Sequence, residues 1–409
     1  MHAETIARIK HEWNEEVLRV QRRERPAAFP PLPEIPAGRY TREDFYRLEQ
    51  ERLWPRSWLL AGHISELPDE GSFKRWEAAN MPVILVRGKD KVIRAFFNAC
   101  QHRGSAVVSE ATGLRKSFSC VYHGWTYGLD GALNFVTDEF EFAGLDKTRK
   151  GLKPLRCELW GSLIFVNADL NAMSLRDHLA GIYDQLDDMQ FESLTMFAKL
   201  SYDIDCNWKC VQDAFAEGYH INTVHKNTVA LFLKPEVGTR RLFPHGHGYQ
   251  IVSQNTGEAF EESKFFDRFA MDMDPGHEIT RNSSRAHSIF PNLTIPVTTT
   301  QFPIIMPWPK GPHRCTVEVY YMATPGHGDP ESEACKTVTQ MFDVVTQEDL
   351  GVLNAQQRGL NSGAISSVPL SYLERLIYNH HEHLDRVLGL DHVPPELRVP
   401  QILGPFIEP

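Results

Sequence analysis

The sequence predicts an α+β protein in which a small all-β domain precedes a larger domain of sheet and helix. Three observations predict it. Short β-rich runs broken by Gly, Asp and Asn turns fill residues 56–165. A second β-rich stretch fills 238–325, with "TIPVTTTQFPIIMPW" and "RCTVEVYYMATP". Segments with helical spacing lie at both ends of the chain and around residue 200. A chain of 409 residues has room for about two to three domains and needs no disulfide staples.

The elements follow in order. Residues 1–25 have apolar positions Ile6, Ile9, Trp13, Val17 and Val20 at helical spacing. "RPAAFPPLPEIPAGRY" (25–40) is proline-rich, and is expected to run extended along a surface. "TREDFYRLEQERLW" (41–54) restarts a helix, with Thr41 as N-cap and acids in the first turn. "SWLLAGHI", "PVILVRG", "VIRAFFN" and "LIFVNA" are strands. Residues 174–193 return to helix, and "LSYDIDCNWKCVQDAFAEGYHINTVH" passes from strand to helix. The C-terminal stretches "SEACKTVTQMFDVVTQEDLGVLNAQQRGL" and "PLSYLERLIYNHHEHLDRVLG" are helical. The expected division is 1–45 (helix and linker), 46–165 (β domain) and 166–409 (sheet-and-helix domain).

Composition excludes some function classes. The formal net charge is −10, with a sequence pI of about 6.0. Nucleic-acid binding needs a basic footprint, so no nucleic-acid partner is expected. The longest apolar runs, such as "MPVILV" (81–86), are far below the roughly 18–20 residues of a membrane span. The N-terminus lacks the apolar core of a signal peptide, which makes a cytoplasmic location the expectation. The seven cysteines, odd in number and irregular in spacing, are not a disulfide framework. A Cys/His pairing is therefore read first as a metal candidate.

Two such pairings stand in the β-rich region. "NACQHRGS" places Cys100 and His102 one residue apart, and "SCVYHGWTYG" places Cys120 and His123 two apart. Seventeen residues separate His102 from Cys120. Two tight loops, each with one thiolate and one imidazole, can hold one [2Fe–2S] cluster. Replacing two anionic thiolates by neutral imidazoles makes the cluster easier to reduce, with a potential of about −150 to +300 mV against about −400 mV for all-cysteine clusters. Gly104 and Gly124 lie just beyond each histidine, where a loop must turn tightly. A Cys2His2 zinc site is the rival reading of the four side chains.

Cys100-x-His102 and Cys120-x2-His123 resemble the Rieske [2Fe–2S] signature. The Arg-Gly after His102 and the Trp after Gly124 are similar to its oxygenase version. Rieske proteins of respiratory complexes carry an extra cysteine in each loop. Neither "CQHRG" nor "CVYHG" has one, which favours the oxygenase branch.

A Rieske cluster stores one electron and offers no open position, so a second site must perform the chemistry. "DAFAEGYHINTVH" (213–225) supplies two histidines, His220 and His225. Two imidazoles and one carboxylate on one face suit a mononuclear Fe(II) that activates O2. A step of five residues does not fit one straight helix face, so the helix is expected to break around Asn222. Glu217, one turn before His220, is placed to bond that ring's other nitrogen rather than the metal. The carboxylate ligand is expected from "TQEDLGVLNAQQRGL", with Asp349 first and Glu348 and Asp343 as alternatives.

The whole set resembles the catalytic domain of Rieske non-haem iron oxygenases, the α-subunits of ring-hydroxylating oxygenases, over about residues 45–360. Asp213, Glu217, His220 and His225 match that family's Asn/Asp-x3-Asp/Glu-x2-His-x4-His pattern. Two departures bear on substrate: Asp213 stands where Asn is frequent, and Glu217 where Asp is frequent. Glutamate occurs there in some demethylating or trimethylammonium-oxidising members. The resemblance implies a helix-grip (Bet v 1-like) catalytic domain, an antiparallel sheet covered by helices. It also implies a homotrimer in which Glu217 bridges His220 to the partner subunit's His123, with Asp213 in support. No G-x-G-x-x-G opens a helix after a strand, so electrons are expected from a separate NAD(P)H-dependent reductase, with or without a ferredoxin.

The expected activity is mono- or dioxygenation of an aromatic or other apolar cyclic compound, as in aromatic hydrocarbon catabolism. A quaternary ammonium substrate is the alternative, and a Rieske electron carrier without a working iron site is the alternative of another class. Phe215, Phe232, Phe243, Phe302 and Trp308 are the candidate pocket aromatics, with core packing as the plainer reading of each. A di-iron site would need two Glu-x-x-His motifs, and Glu217-x-x-His220 stands alone. His245, His247 and "HHEH" (380–383) are read as surface or loop histidines, and Cys206 and Cys210 as buried small residues.

Overall fold

The structure is a computed structural model and describes residues 3–186, 189–231, 233–254, 283–297 and 300–408. It divides into two compact units, Trp54–Leu175 and Met1–Leu53 with Arg176–Pro409.

The first unit contains strands β1 (Leu59–His63), β2 (Ser72–Ala78), β3 (Met81–Arg87), β4 (Ile93–Phe97), β5 (Thr112–Leu114), β6 (Phe118–Ser119), β7 (Thr126–Tyr127), β8 (Leu133–Phe135), β9 (Pro154–Trp160) and β10 (Leu163–Asn167). Seven form an antiparallel sheet in the order β1-β10-β9-β4-β3-β2-β5, and β6-β7-β8 form a small second sheet. The β2–β3 hairpin turns on Ala79 and Asn80, both at positive φ, as a two-residue turn requires. Phe73, Ile84, Phe96, Phe118 and Tyr127 are buried in one core with Cys100 and Cys120. The two Cys/His loops therefore rest on packed side chains.

The second unit is built on a seven-stranded antiparallel sheet of β11 (Thr195–Ile204), β12 (Leu233–Leu242), β13 (Gly248–Gln254), β14 (Ser283–Ile289), β15 (Leu293–Val297), β16 (Gln301–Gly311) and β17 (Arg314–Ala323). Its order is β11-β17-β16-β15-β14-β13-β12. Two helices, Trp208–Phe215 and Glu333–Asn361, pack on this sheet and on each other, giving the helix-covered antiparallel sheet the sequence implied. Asn207 caps the first by accepting from Lys209 N at 3.0 Å, and Ser332 caps the second by accepting from Cys335 N at 3.2 Å. No described helix is long and apolar enough to cross a membrane.

Several expectations differ from what is found. The 25–40 segment is not confined to the surface. Ile35–Pro36 pair with Ser367–Val368, and Ile35, Arg39 and Tyr40 are buried. A buried guanidinium requires partners, and Arg39 finds Asp385 at 2.7 Å, His381 Nδ1 at 2.9 Å and the Leu397 carbonyl at 2.8 Å. Glu49 and Lys209, both fully buried, pair at 2.7 Å. These contacts hold the first 53 residues within the second unit, so the compact units meet at 53/54 and 175/176 rather than at 45/46 and 165/166.

Thr41 is not an N-cap. It ends a one-turn helix, Gly38–Thr41, with its hydroxyl on the Ala37 carbonyl, and the next helix starts at Glu43. The expected helix at 174–193 is broken into Leu175–His178 and the single turns Tyr183–Gln185 and Phe191–Ser193; Gly181, at φ +82, interrupts it. His247, His380 and His381 are buried rather than on the surface. Burial holds these imidazoles neutral, and the His178 and Pro291 carbonyls accept from His247 (2.7 Å) and His380 (2.8 Å). Cys206 and Cys210 are buried as expected.

Candidate functional site

The first site is formed by two loops of one design. Cys100 N donates to Ser105 O and Gly104 N to Cys100 O, both at 2.8 Å. Cys120 N donates to Trp125 O at 2.8 Å and Gly124 N to Cys120 O at 2.9 Å. Gly104 (φ +79) and Gly124 (φ +73) take the left-handed conformation that closes each loop. The result brings His102 Nδ1 and His123 Nδ1 to 3.2 Å. The Trp125 indole stacks on the His102 ring at 4.9 Å and 12°. Both cysteines are buried, and Tyr127 Oη lies 3.2 Å from Cys100 Sγ. Burial pushes the Cys100 thiol up, and a neighbouring Cys120 pushes in the same direction. Two thiols side by side and two imidazole nitrogens facing one point fit a Cys2His2-bound [2Fe–2S] cluster.

The second site lies on the short segment after the helix Trp208–Phe215. The break falls at 216–220, before the four-residue helix Ile221–Val224, and not at Asn222, which sits inside that helix. Glu217 explains the position. Its carboxylate accepts from the backbone N–H groups of Tyr219 and His220 and so starts the new turn. The same carboxylate holds His220 Nδ1 at 2.5 Å. His220 and His225 flank the short helix, and their ring centroids lie 5.1 Å apart.

The long helix Glu333–Asn361 supplies the carboxylates. Asp349 Oδ1 is 2.9 Å from His225 Nε2 and 3.4 Å from His220 Nε2. Glu348 does not join these donor atoms. It lies behind His225, with Oε2 2.7 Å from Nδ1, and Thr228 Oγ1 donates to that oxygen. Asp343 accepts from Tyr202 Oη at 2.6 Å instead. Each imidazole thus has its Nδ1 fixed by a carboxylate and its Nε2 aimed at Asp349.

His220, His225 and Asp349 each offer a ligand atom, all within 4.8 Å of one another. Burial alone would lower both histidine pKa values. The hydrogen bonds and charges of Glu217, Glu348 and Asp349 outweigh it and raise both above the ordinary range. Three carboxylates around two imidazoles call for a cation, and the donor set suits Fe(II) with open positions.

Asp213 does not bond His220. It accepts from Tyr40 Oη at 2.6 Å, with His381 Nε2 at 3.5 Å. The proton positions follow in order. Arg39 Nε donates to His381 Nδ1, so Nε2 carries the hydrogen and faces Tyr40 Oη at 3.1 Å.

A cavity of about 130 Å3 opens beside His220, His225 and Asp349. Its floor is the sheet (Leu233, Val252, Ala286, Ile305), and its roof comes from the helices (Phe215, Met341, Phe342, Val345). Of the candidate aromatics, Phe215 lines it. Phe243, Phe302 and Trp308 are buried elsewhere in the unit, and Phe232 lies outside the described residues. Met341, Phe342 and Val345 were missed, although their spacing with Asp349 on one helix was a usable signal.

Two family models match the stretches of chain that carry these residues. A family model for the Rieske [2Fe-2S] domain matches residues 57–140, and one for the ring hydroxylating alpha subunit (catalytic domain) matches 191–390. The carnitine monooxygenase oxygenase subunit of Escherichia coli K12 is 33% identical over 193 residues, 47% of this chain and 52% of that protein. The benzene 1,2-dioxygenase alpha subunit of Pseudomonas putida is 35% identical over 236 residues, 53% of this chain and 52% of that protein. The chain spans about half the length of the curated relatives it matches. Naphthalene 1,2-dioxygenase of Rhodococcus, solved with indole, shares the fold with a TM-score of 0.75 at 24% identity, covering 88% of this chain and 95% of that one. A quaternary ammonium Rieske monooxygenase solved with L-carnitine gives 0.72 at 22% identity, covering 88% and 97%.

Proposed function

This chain belongs to the Rieske non-haem iron oxygenases, the ring-hydroxylating α-subunit family, and from that premise we propose that it is a terminal oxygenase. It takes electrons from a separate NAD(P)H-dependent reductase, with or without a ferredoxin, and hydroxylates or dihydroxylates an aromatic or other apolar cyclic compound. One observation carries the reading: the two-imidazole, one-carboxylate site opens on a cavity with apolar walls, in a chain that also holds a Cys2His2 cradle.

Cys100, His102, Cys120 and His123 would hold a [2Fe–2S] cluster, and His220, His225 and Asp349 a mononuclear Fe(II). Bound there, the cluster stores one electron and the Fe(II) supplies the position where O2 is activated. Monooxygenation balances as substrate C–H, O2, two electrons and two protons giving an alcohol and water. The chain's own residues do the rest. Glu217 and Glu348 keep each Nδ1 hydrogen-bonded, so each Nε2 presents its lone pair in one direction. The apolar walls bind the ring and exclude water, protecting the reacting centre from side reactions. We also place Glu217 between His220 and the partner subunit's His123 in a head-to-tail homotrimer, as the electron bridge.

A second reading, oxidation of a quaternary ammonium compound, draws support from Glu217 in place of aspartate and from the similarity to the carnitine monooxygenase oxygenase subunit. Against it, no Lys or Arg lines the cavity among the described residues to pair with the carboxylate of a betaine, and two phenylalanines make a poor cage for its cation. The test is O2 uptake by the iron-loaded protein with a reductase and an electron supply, comparing benzene, naphthalene and indole with L-carnitine and γ-butyrobetaine. Uptake coupled to a hydroxylated ring product supports the first reading. Uptake with betaines alone replaces it by the second, and a protein that accepts electrons but consumes no O2 is a carrier.

A further inference from the structure

The sheet floor of the cavity carries two polar residues, Gln250 and Ser284, of which Gln250 is the larger. Side chains alternate across a strand, so Gln250 and Val252 on β13 face the cavity together, as do Ser284 and Ala286 on β14. Gln250 is 5% exposed, and its Oε1 has no hydrogen-bond partner among the described residues. The carboxamide lies under the Gly218 backbone: a Cβ placed at Gly218 would meet Oε1 at 3.6 Å. The position is therefore directly beside Glu217 and His220. A buried amide left without partners is costly, and the great majority of buried polar groups are paired. Ile, Val or Leu on the same strand face would complete an apolar wall at no such cost.

We propose that Gln250 is a specificity-determining residue whose unpaired Oε1 accepts a hydrogen bond from a polar substituent on the substrate, so that the substrate is a ring compound carrying a hydroxyl or amino group rather than a bare hydrocarbon. This rests on reading the cavity beside His220 and His225 as the substrate site. The carboxamide suits the role because its oxygen accepts, and its terminal torsion is broad and nearly two-fold. Besides the iron-site side chains, Ser284 and Thr346 are the other polar residues of the lining; Gln250 carries the long amide with an unpaired Oε1, and so sets which end of the ring compound points away from the sheet floor's aliphatic part. A cavity of about 130 Å3 has room for a ring, since an apolar cavity of about 150 Å3 admits benzene.

The test is direct binding to the iron-loaded, oxidised protein, measured by titration calorimetry with phenol, toluene and anisole. Toluene is the more hydrophobic of the first pair, so a wall without a polar partner favours toluene. We expect wild type to prefer phenol, and Gln250→Met to shift the phenol-to-toluene ratio toward toluene by about tenfold, the scale of one lost buried hydrogen bond. Gln250→Leu, with a different shape, should shift it the same way, which separates a lost hydrogen bond from altered packing. Anisole, which only accepts, checks the direction: binding near that of toluene supports acceptance by Oε1, and binding near that of phenol overturns it. Equal or weaker binding of phenol than toluene in wild type overturns the proposal. So does an unchanged ratio in both variants, or no binding of either ligand. Ring oxygenation without a phenol preference would defeat only this inference, while a Gln250-dependent phenol preference without any O2 uptake would defeat only the oxygenase reading.

Discussion

Asp213 and His220 are seven residues apart, yet they face different neighbours. Burial pushes Asp213 up to about 6, against the hydrogen bond from Tyr40 and the charges of Lys209 and Arg39. Its Oδ1 has no partner among the described residues, and neither does His380 Nδ1. A carboxylate whose folded pKa lies above its unfolded value near 3.8 binds a proton more tightly when folded. Its contribution is therefore greatest at low pH, falls as pH rises from about 4 to 6, and is constant above. Asp213→Asn keeps an acceptor for Tyr40 and removes the titration. The variant should be more stable than wild type at pH 7.5, by up to about 3 kcal/mol, and the difference should shrink toward pH 4 in thermal melts. Glu348 makes the second residue-scale case. Glu348→Gln should weaken iron retention by roughly tenfold or more without moving His220, measured by competition with a chelator. Asp349 was the carboxylate the sequence put first, and the structure brings it to both imidazoles. Glu348's place behind His225 was not legible, because two consecutive acids on a helix point about 100° apart and spacing alone does not say which faces inward.

At the scale of elements, sequence patterns located the strands and the long helix well, since both periods are local. They did less well where a distant partner decides. The proline-rich segment looked like surface, but Arg39 draws it inward to Asp385 and His381, residues more than three hundred positions away. The helix break was expected around Asn222 from the five-residue step between the histidines. It falls earlier because Glu217 accepts the backbone donors of the next turn. The buried Glu49–Lys209 pair joins the helix Glu43–Arg52 to the helix Trp208–Phe215, whose far end carries the iron-site segment. Removing one partner leaves a buried charge. Lys209→Met should cost about 3–5 kcal/mol, read as a lower urea midpoint. Adding Glu49→Gln should recover most of the loss, because Gln still accepts from Trp208 Nε1, which now donates to Glu49 at 3.1 Å.

For the whole molecule, two independent ligand patterns in one chain define the function class, and both were legible because metal ligands cluster in short motifs. The substrate was not, since the cavity wall is assembled from five strands and three α-helices with no shared motif. The proposed electron path across a subunit boundary gives a prediction at this scale. Glu217→Ala, at saturating iron, should keep the cluster spectrum and the iron while coupled turnover collapses; near-normal activity would remove Glu217 from the path. The central claim is that this one chain holds both a cluster and a separate iron, and iron and acid-labile sulfide analysis tests it most directly. The account predicts about three irons and two sulfides per wild-type chain, falling to about two and two in His225→Ala. A fully loaded wild-type protein with only two irons per chain, or a His225→Ala variant that keeps three, would contradict it.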